Sequence, residues 1–379
     1  MSHPRTYGTL LRLDRRRLDS RDGEISLHRF QNFATRKLAF AVTVGDVESA
    51  EPILARVHSS CVTGEAYGGC DCDCAEQLEI ALAEIARARR GVIFYLLQEG
   101  RGAGFVAKAR DRMIVQASGQ RLTTFEAYEQ MGLGKDHRRY DEVDAITRLL
   151  GIRAPLELLT NNPEKAAALA AEGLRVAGIR SLDNEPSPFN LHYLDAKQRF
   201  GHSLAARDST QRAAELPESV VAFDPYELEA DPRLVHMASY LLPIRFPEDA
   251  ERPPTWFRVH AYYDVVSRRE EVVLTHDRRA DVSPLVAVHR ESFEDRLPLR
   301  RPSFGRRRWR GAVSGIVDRG AGAVLFRSAE DDGRQDAVDG GGCGLLVRHL
   351  NGRPARCLDT ADEPLRGALR EHQVVLDDS

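Results

Sequence analysis

Two stretches of this 379-residue chain share both wording and spacing. "PILARVHSSC" closes a strand-like run at His58, "PLVAVHRESF" closes another at His289, and the apolar runs "VIFY" and "AVLF" each begin 34 residues after the respective histidine. Upstream, "FRVHAYYDVVSRREEVVLTHD" stands in the place of "SLHRFQNFATRKLAFAVTVGD". Downstream, "CLDTADEPLRGAL" resembles "LLTNNPEKAAAL", with equal gaps from Thr160 to Leu169 and from Thr360 to Leu369. A unit that recurs must pack in the same way twice, so a repeat constrains the fold more than any single element does. We read residues 1–203 as a complete copy, 204–255 as a connector with some helical structure, and 256–379 as a shortened second copy. Chance similarity between two α/β segments is the alternative. The chemistry does not recur: at matching spacings Cys61, Cys72 and Cys74 become Ser292, Ser303 and Gly305, and Asn161 becomes Ala361. About thirty residues before the last turn are missing as well. The second copy is expected to be a scaffold or a partner surface.

The complete copy alternates strand-like and helix-like segments, which sets the fold class as mixed α/β or α+β. "KLAFAVTVG", "ILARVHS" and "GVIFYLLQ" read as strands, the last one buried on both faces. "AEQLEIALAEIARARR" places Leu78, Leu82 and Ile85 on one helical stripe with arginines at its C-terminal end, where the macrodipole favours them. In "PLELLTNNPEKAAALAAEGL" a strand leads through a turn to a helix: Asn161 or Asn162 can cap, Pro163 suits the first turn and Gly173 the stop.

Charged residues make up 29% of the chain, yet the net charge is only −3, so the overall field points to neither nucleic acid nor an anionic membrane as partner. The arginine-rich "LRRPSFGRRRWRG" is one short run and reads as a solvated face rather than an RNA site. "MSHPRTYGTL" lacks the layout of a signal peptide, and no apolar run approaches the roughly 20 residues needed to span a bilayer. A soluble, cytoplasmic protein is the expectation. In that compartment thiols stay reduced, so clustered cysteines favour metal binding or reactivity over disulfides.

"GGCDCDCAEQL" sets Cys70, Cys72 and Cys74 at alternate positions. Side chains two apart share one face of an extended segment, and Cys61 in the preceding loop can supply a third corner. Three thiolates with an open fourth position suit a catalytic zinc, whereas Cys70 as a fourth would close a structural one. A disulfide or inert cluster is the remaining alternative.

The ordered set "RVHSSCVTGEAYGGCDCDCAEQL", "YLLQEGRGAG", "GLGKDHRRYDE" and "LLTNNPEKAAAL" resembles GTP cyclohydrolase II, the enzyme that opens the guanine ring of GTP at the head of riboflavin synthesis, over roughly residues 5 to 203. The resemblance implies one zinc on Cys61, Cys72 and Cys74, with Cys70 outside the ligand set. It also implies pyrophosphate release, a homodimer or an internal pseudo-dimer, and Mg2+ accompanying the triphosphate. Arg56, Thr160 and Lys165 would hold the triphosphate, which fits the phosphate-binding habit of a helix N-terminus beside a cation. Gln77, Glu99 and Arg101 would face the purine, a carboxylate accepting from N1–H and the exocyclic amine. Thr124 joins the substrate contacts by the same resemblance. Asp136 and Arg138 match the family's proton acceptor and nucleophile. An arginine stays protonated to a pH above about 12, so stabilising transition-state charge is an equal alternative role for Arg138.

The sequence also departs from that pattern. The family's tyrosine between Gly104 and Gln116 is absent, with Arg112 and Met113 at the two candidate positions. Without that hydroxyl, ring opening can proceed while the second hydration fails, leaving a formylamino product. Ser60 and Asp71 replace an acidic and a basic residue beside the zinc cysteines, so the exact guanine nucleotide stays open. Two further readings compete: a non-catalytic zinc-bearing nucleotide sensor, and a paralogue acting in pyrimidine catabolism.

Overall fold

The computed structural model describes residues 5–377 apart from positions 49, 183, 205–209, 219, 223–232, 247–248, 250, 329–339, 351 and 360–361. Thr360 and Ala361, which carried part of the repeat, therefore lie outside the described residues.

The first half builds an eight-stranded sheet. Its strands are β1 (Thr6–Tyr7), β2 (Leu10–Ser20), β3 (Gly23–Asn32), β4 (Leu38–Val44), β5 (Ile53–Ser59), β6 (Gly91–Leu96), β7 (Leu156–Leu159) and β8 (Val176–Arg180), in the spatial order β1-β2-β3-β4-β6-β5-β7-β8. The meander from β1 to β4 is antiparallel, and β6, β5, β7 and β8 run parallel. β6 is buried at every position, as its unbroken apolar run requires of a central strand. Helices α1 (Val62–Glu65) and α2 (Cys74–Arg87) cross from β5 to β6; α3 (Phe105–Ala117), α4 (Thr124–Gln130) and α5 (Asp141–Leu149) link β6 to β7; α6 (Pro163–Ala171) links β7 to β8, and α7 (Leu191–Arg199) follows. Asn162 caps α6 by accepting from the Glu164 amide, with Pro163 at the first helical position.

The second sheet has the order β14-β12-β13-β11-β10-β9, from β9 (Leu234–Ile244), β10 (Thr255–Asp264), β11 (Arg269–Asp277), β12 (Leu285–Arg290), β13 (Ala321–Arg327) and β14 (Arg356–Cys357). Read from β9, it repeats the path β2-β3-β4-β6-β5-β7 of the first sheet, again with the parallel pairing confined to its β12–β13–β14 end. Helix α8 (Phe304–Arg319) takes the place of α2 and α10 (Glu363–Glu371) that of α6, while α9 (Gly340–Arg348) is the one described helix between β13 and β14. The shortened degenerate copy is thus real at the level of topology.

One sequence expectation is corrected. The second sheet begins at Leu234, inside the stretch read as a connector, because β9 pairs with β10 from Leu234 to Ile244. Its acidic and proline-rich surroundings disguised it. Pro243 is tolerated because β9 is an edge strand, where a missing N–H leaves no ladder bond unmade.

The halves share a core. Phe105, Ala109 and Met113 of α3, together with Val62, Ala66 and Tyr67, pack against Tyr240, Leu242, Phe257, Val259, Trp309 and Phe326. The Gln116 amide donates to Leu241 O at 2.7 Å and accepts from Leu241 N at 2.8 Å, completing one rung of the β9 edge. Among the described residues no helix is long and apolar enough to cross a membrane.

Candidate active site

Three thiols converge where β5 ends and α2 begins. Cys61 is the N-cap of α1, Cys74 opens α2, and Cys72 lies in the loop between them. Their sulfurs lie within 4.8 Å of one another. Cys61 and Cys72 stand 3.6 Å apart, far beyond the roughly 2.05 Å of a disulfide. A Cβ at Gly64 would sit 3.1 Å from the Cys72 sulfur and 3.4 Å from that of Cys61, so the absence of a side chain there keeps the cradle open. Cys70 points elsewhere: its Sγ is 3.8 Å from Gly68 O, its amide donates to Pro243 O, and burial raises its pKa to about 11.

A buried cation answers the thiols. Lys108 of α3 donates to Cys61 Sγ at 3.0 Å and to Glu99 Oε1 at 2.7 Å. Hydrogen bonds from the Cys72 and Cys74 thiols, with the Lys108 charge behind them, bring the Cys61 pKa well below its ordinary value. Burial opposes the charge on Lys108, but Cys61 and Glu99 outweigh it and keep the ammonium protonated. A site that already favours thiolate and holds three sulfurs on one side suits a soft divalent ion.

Beside this cluster lies a cleft whose wall includes Arg56, Cys74, Arg101, Arg138, Lys165 and Lys197, together with Gln77, Thr160, Tyr193 and His58. Five cations in one wall with a cysteine of the cluster give a positively charged cleft beside the sulfurs, a setting that suits a polyanion. Arg56 donates to Leu159 O at 2.9 Å and to Gln77 Oε1 at 2.6 Å, and burial lowers its pKa to about 10. The Gln77 amide in turn donates to Asp73 at 2.7 Å, and Lys197 meets the other oxygen of Asp73 at 2.5 Å. Lys165 donates to Val57 O at 2.9 Å; burial first, then Arg138 and Arg56, lower its pKa well below the usual lysine value. An anion placed there would relieve that repulsion.

The loop "EGRG" is shaped by its backbone. Gly102, at φ +86°, comes so close to the 137–138 backbone that a Cβ would lie 2.7 Å from His137 O. This contact, with His137 N donating to Arg101 O, seats Arg138 at the cleft. Arg138 holds Asp136 through Nε at 2.9 and 3.0 Å. Burial would raise the Asp136 pKa, but the Arg138 hydrogen bonds and charge hold it below the usual carboxylate value. Arg101 lies 3.8 Å over the Phe125 ring.

Six of the expected contact residues, Arg56, Gln77, Arg101, Arg138, Thr160 and Lys165, thus line one cleft. Three expected residues are placed differently. Both oxygens of Glu99 are engaged, by Lys108 and Gly100 N on one and by Val62 N on the other. Thr124 donates to Asp111 at 2.6 Å. Asp136 reaches the cleft only through Arg138. Of the two positions where a tyrosine was expected, Met113 is buried between the halves, while Arg112 pairs with Asp71 at 2.8 Å and lies over the Tyr193 ring at 5.1 Å.

Sequence reasoning missed Lys108, Asp73, Lys197, Tyr193 and His58. The last of these holds Glu65 at 2.8 Å through Nε2, and burial lowers its pKa so the ring is neutral. His58 lies inside stretches quoted for the repeat and for the family resemblance without being singled out, and Tyr193 and Lys197 lie just before the end of the first copy at residue 203.

Comparison with known proteins decides the relationship. The GTP cyclohydrolase II family matches residues 12–181, which include every expected site residue. The GTP cyclohydrolase-2 of Saccharophagus degradans is 38% identical over 187 residues, 49% of this chain and 92% of that protein. This chain belongs to the GTP cyclohydrolase II family. It is a hydrolase. The GTP cyclohydrolase-2 of Azotobacter vinelandii is 40% identical over 185 residues, 48% of this chain and 87% of that one. The riboflavin biosynthesis protein RibBA of Cytophaga hutchinsonii is 38% identical over 187 residues, 49% of this chain and 45% of its own length. Among solved structures, a two-domain 3,4-dihydroxy-2-butanone 4-phosphate synthase, RibBX, from A. baumannii aligns at 17% identity over 48% of this chain and 42% of its own, with a TM-score of 0.26, too low to bear on the fold. The family match ends before Tyr193, Lys197 and the whole second sheet.

Proposed function

We propose that this protein opens the imidazole ring of GTP at C8 in a zinc-dependent hydrolysis, releasing pyrophosphate and stopping at a formylamino-pyrimidine. The observation that carries the reading is the single cleft whose wall holds Cys74 of the sulfur cluster together with Arg56, Arg138 and Lys165. Zinc on Cys61, Cys72 and Cys74 supplies nucleophilic and Lewis-acid strength at neutral pH that no side chain here offers. Arg56 and Lys165 bind the triphosphate at the N-terminus of α6, where the helix dipole adds to their charge. Arg138 faces the α-phosphate and neutralises charge as the bond to pyrophosphate breaks; its salt bridge with Asp136 fixes the direction of its guanidinium. Arg101, stacked on Phe125, presents donors to the purine.

The truncated outcome rests on α3, which carries Arg112 and Met113 at the two positions where the family pattern has its tyrosine. Arg112 is committed to Asp71 and is a permanent cation, so it cannot shuttle a proton at neutral pH. We take residues 1–203 as the catalytic unit and the copy that begins at Leu234 as non-catalytic.

The zinc-loaded protein is incubated with GTP, and products are read by mass spectrometry with a parallel formate assay. A formylamino-pyrimidine monophosphate with pyrophosphate and little formate is expected. One equivalent of formate per GTP would refute the early stop, and zinc-bound protein that leaves GTP intact would favour a nucleotide sensor.

A further inference from the structure

The second copy reaches the active cleft through one buried chain of hydrogen bonds. Arg296, in the short turn Phe293–Arg296, is fully buried and pairs bidentately with Glu291 at 2.7 Å through each of two nitrogens. Its remaining terminal nitrogen, Nη1, donates to the Tyr95 hydroxyl on β6 at 3.1 Å. That hydroxyl donates to Glu65 Oε2, and Glu65 Oε1 meets His58 Nε2 at 2.8 Å. His58 lines the cleft, and its Nδ1 is buried with no hydrogen-bond partner.

The polarity of this chain follows from its first member. A guanidinium only donates, so the Tyr95 oxygen must accept from Arg296 and point its own proton at Glu65. A carboxylate only accepts, so Glu65 takes the Tyr95 proton on one oxygen, and the neutral His58 ring must place its own proton on Nε2 toward the other. The bare Nδ1 is left buried and unpartnered on a ring that lines the cleft. We propose that Arg296 of the second copy is a positioning residue that sets the His58 tautomer through Tyr95 and Glu65, so that Nδ1 accepts a hydrogen bond from an N–H or O–H group of the nucleotide. The proposal rests on the reading of this cleft as a nucleotide site.

The surroundings of the chain are held by the same half of the molecule. Arg306 of α8 donates to Glu65 O at 2.9 Å and to Ala66 O at 3.1 Å, and the Trp309 indole donates to Tyr67 O at 3.2 Å. Gly69 bridges to Ile244, and Cys70 N donates to Pro243 O. The loop from Cys61 to Cys74 therefore leans on the second copy along its length. Glu65 and Arg296 are themselves counterparts, each the last residue of the turn that follows the histidine strand in its own copy.

The test uses the full chain. Arg296→Met is combined with Glu291→Gln so that no carboxylate is stranded, and Tyr95→Phe is made separately to remove only the hydroxyl. Nitrogen NMR of histidine-labelled protein, with His58 assigned by its loss in His58→Phe, reports the tautomer without any substrate. The native protein should show a protonated Nε2 and a bare Nδ1; both variants should show mixed tautomers. With GTP, kcat should fall about tenfold while KM and zinc content hold, as expected when an outer-shell partner is lost. In the His58→Phe background the Arg296 change should add no further loss, whereas a merely structural role would add. An unchanged tautomer in Tyr95→Phe, or an additive loss with His58→Phe, would overturn the proposal. If the native protein leaves GTP untouched, the functional reading fails, and the tautomer measurement still decides this one.

Discussion

The Lys108 ammonium stands 3.0 Å from the Cys61 sulfur and 2.7 Å from Glu99 Oε1, so one buried cation serves two anions. Replacing it by methionine keeps the volume and removes the charge. Lys108→Met should weaken zinc binding by about 10–100-fold, the usual effect of losing an outer-shell partner. Competition with a chromophoric chelator measures this. Lys108→Met with Glu99→Gln should recover protein stability but not zinc affinity, because the buried carboxylate is then also neutralised while the thiolate is not.

The sulfur cluster makes a separable prediction about Cys70. With its Sγ turned to Gly68 O, Cys70→Ser should retain one zinc per chain by elemental analysis, whereas Cys74→Ser should fall well below one. Equal loss in both variants would place Cys70 among the ligands.

Lys165 is a cation crowded by Arg138 and Arg56 before any ligand arrives. Lys165→Met should raise KM for GTP by about 10–100-fold, the loss of one charge-assisted contact of about 1.5–3 kcal/mol. Its melting temperature should hold or rise, because the repulsion goes with the charge. A lower melting temperature with unchanged KM would argue that the lysine is structural.

Buried histidines make the fold sensitive to acid, four of them with large shifts. Burial, ahead of neighbouring cations or histidines, lowers the pKa of His28 and His202 to about 3 and of His289 and His349 to about 4. Unfolded histidine titrates near 6.5, so below that pH the unfolded chain binds more protons than the folded one, and stability falls as pH drops from about 6.5 towards 4. Each histidine contributes a loss of about 1–2 kcal/mol at pH 5. The urea midpoint should therefore be flat from pH 7 to 8 and decline steeply at pH 5; a midpoint that rises on acidification would contradict this.

Much of the site was legible because its residues are rare types at fixed intervals. Three cysteines two and eleven positions apart leave few geometries, and "TNNPEK" announces its own cap, proline and cation. The structure adds what spacing does not encode. Lys108 lies in a helix where a lysine usually faces water, and only the packing of α3 against the other half turns it inward. Asp73 and Lys197 meet across the fold at 2.5 Å, and nothing local marks either as a partner of the other. Glu99 was expected to read the purine, but the Gly100 amide and Lys108 hold one of its oxygens and the Val62 amide, at the start of α1, holds the other. The strand at Leu234 escaped because the proline near its end reads as a breaker unless the strand is known to be an edge.

The second copy carries a plug where the first has its cradle. Asp295 stands at the counterpart of Gly64, with Ser292 donating to its Oδ1 at 2.9 Å and Ser303 donating to the same atom, and a Cβ on Gly305 would meet Asp295 Oδ2 at 2.3 Å. The three former cysteine positions and the former glycine have therefore become mutually dependent. Restoring sulfur at 292, 303 and 305 would collide with the carboxylate, and removing the carboxylate first would strand two hydroxyls that now rely on it. No single substitution therefore opens this half to a metal: the carboxylate, its two hydroxyl donors and the glycine beside it have to change together.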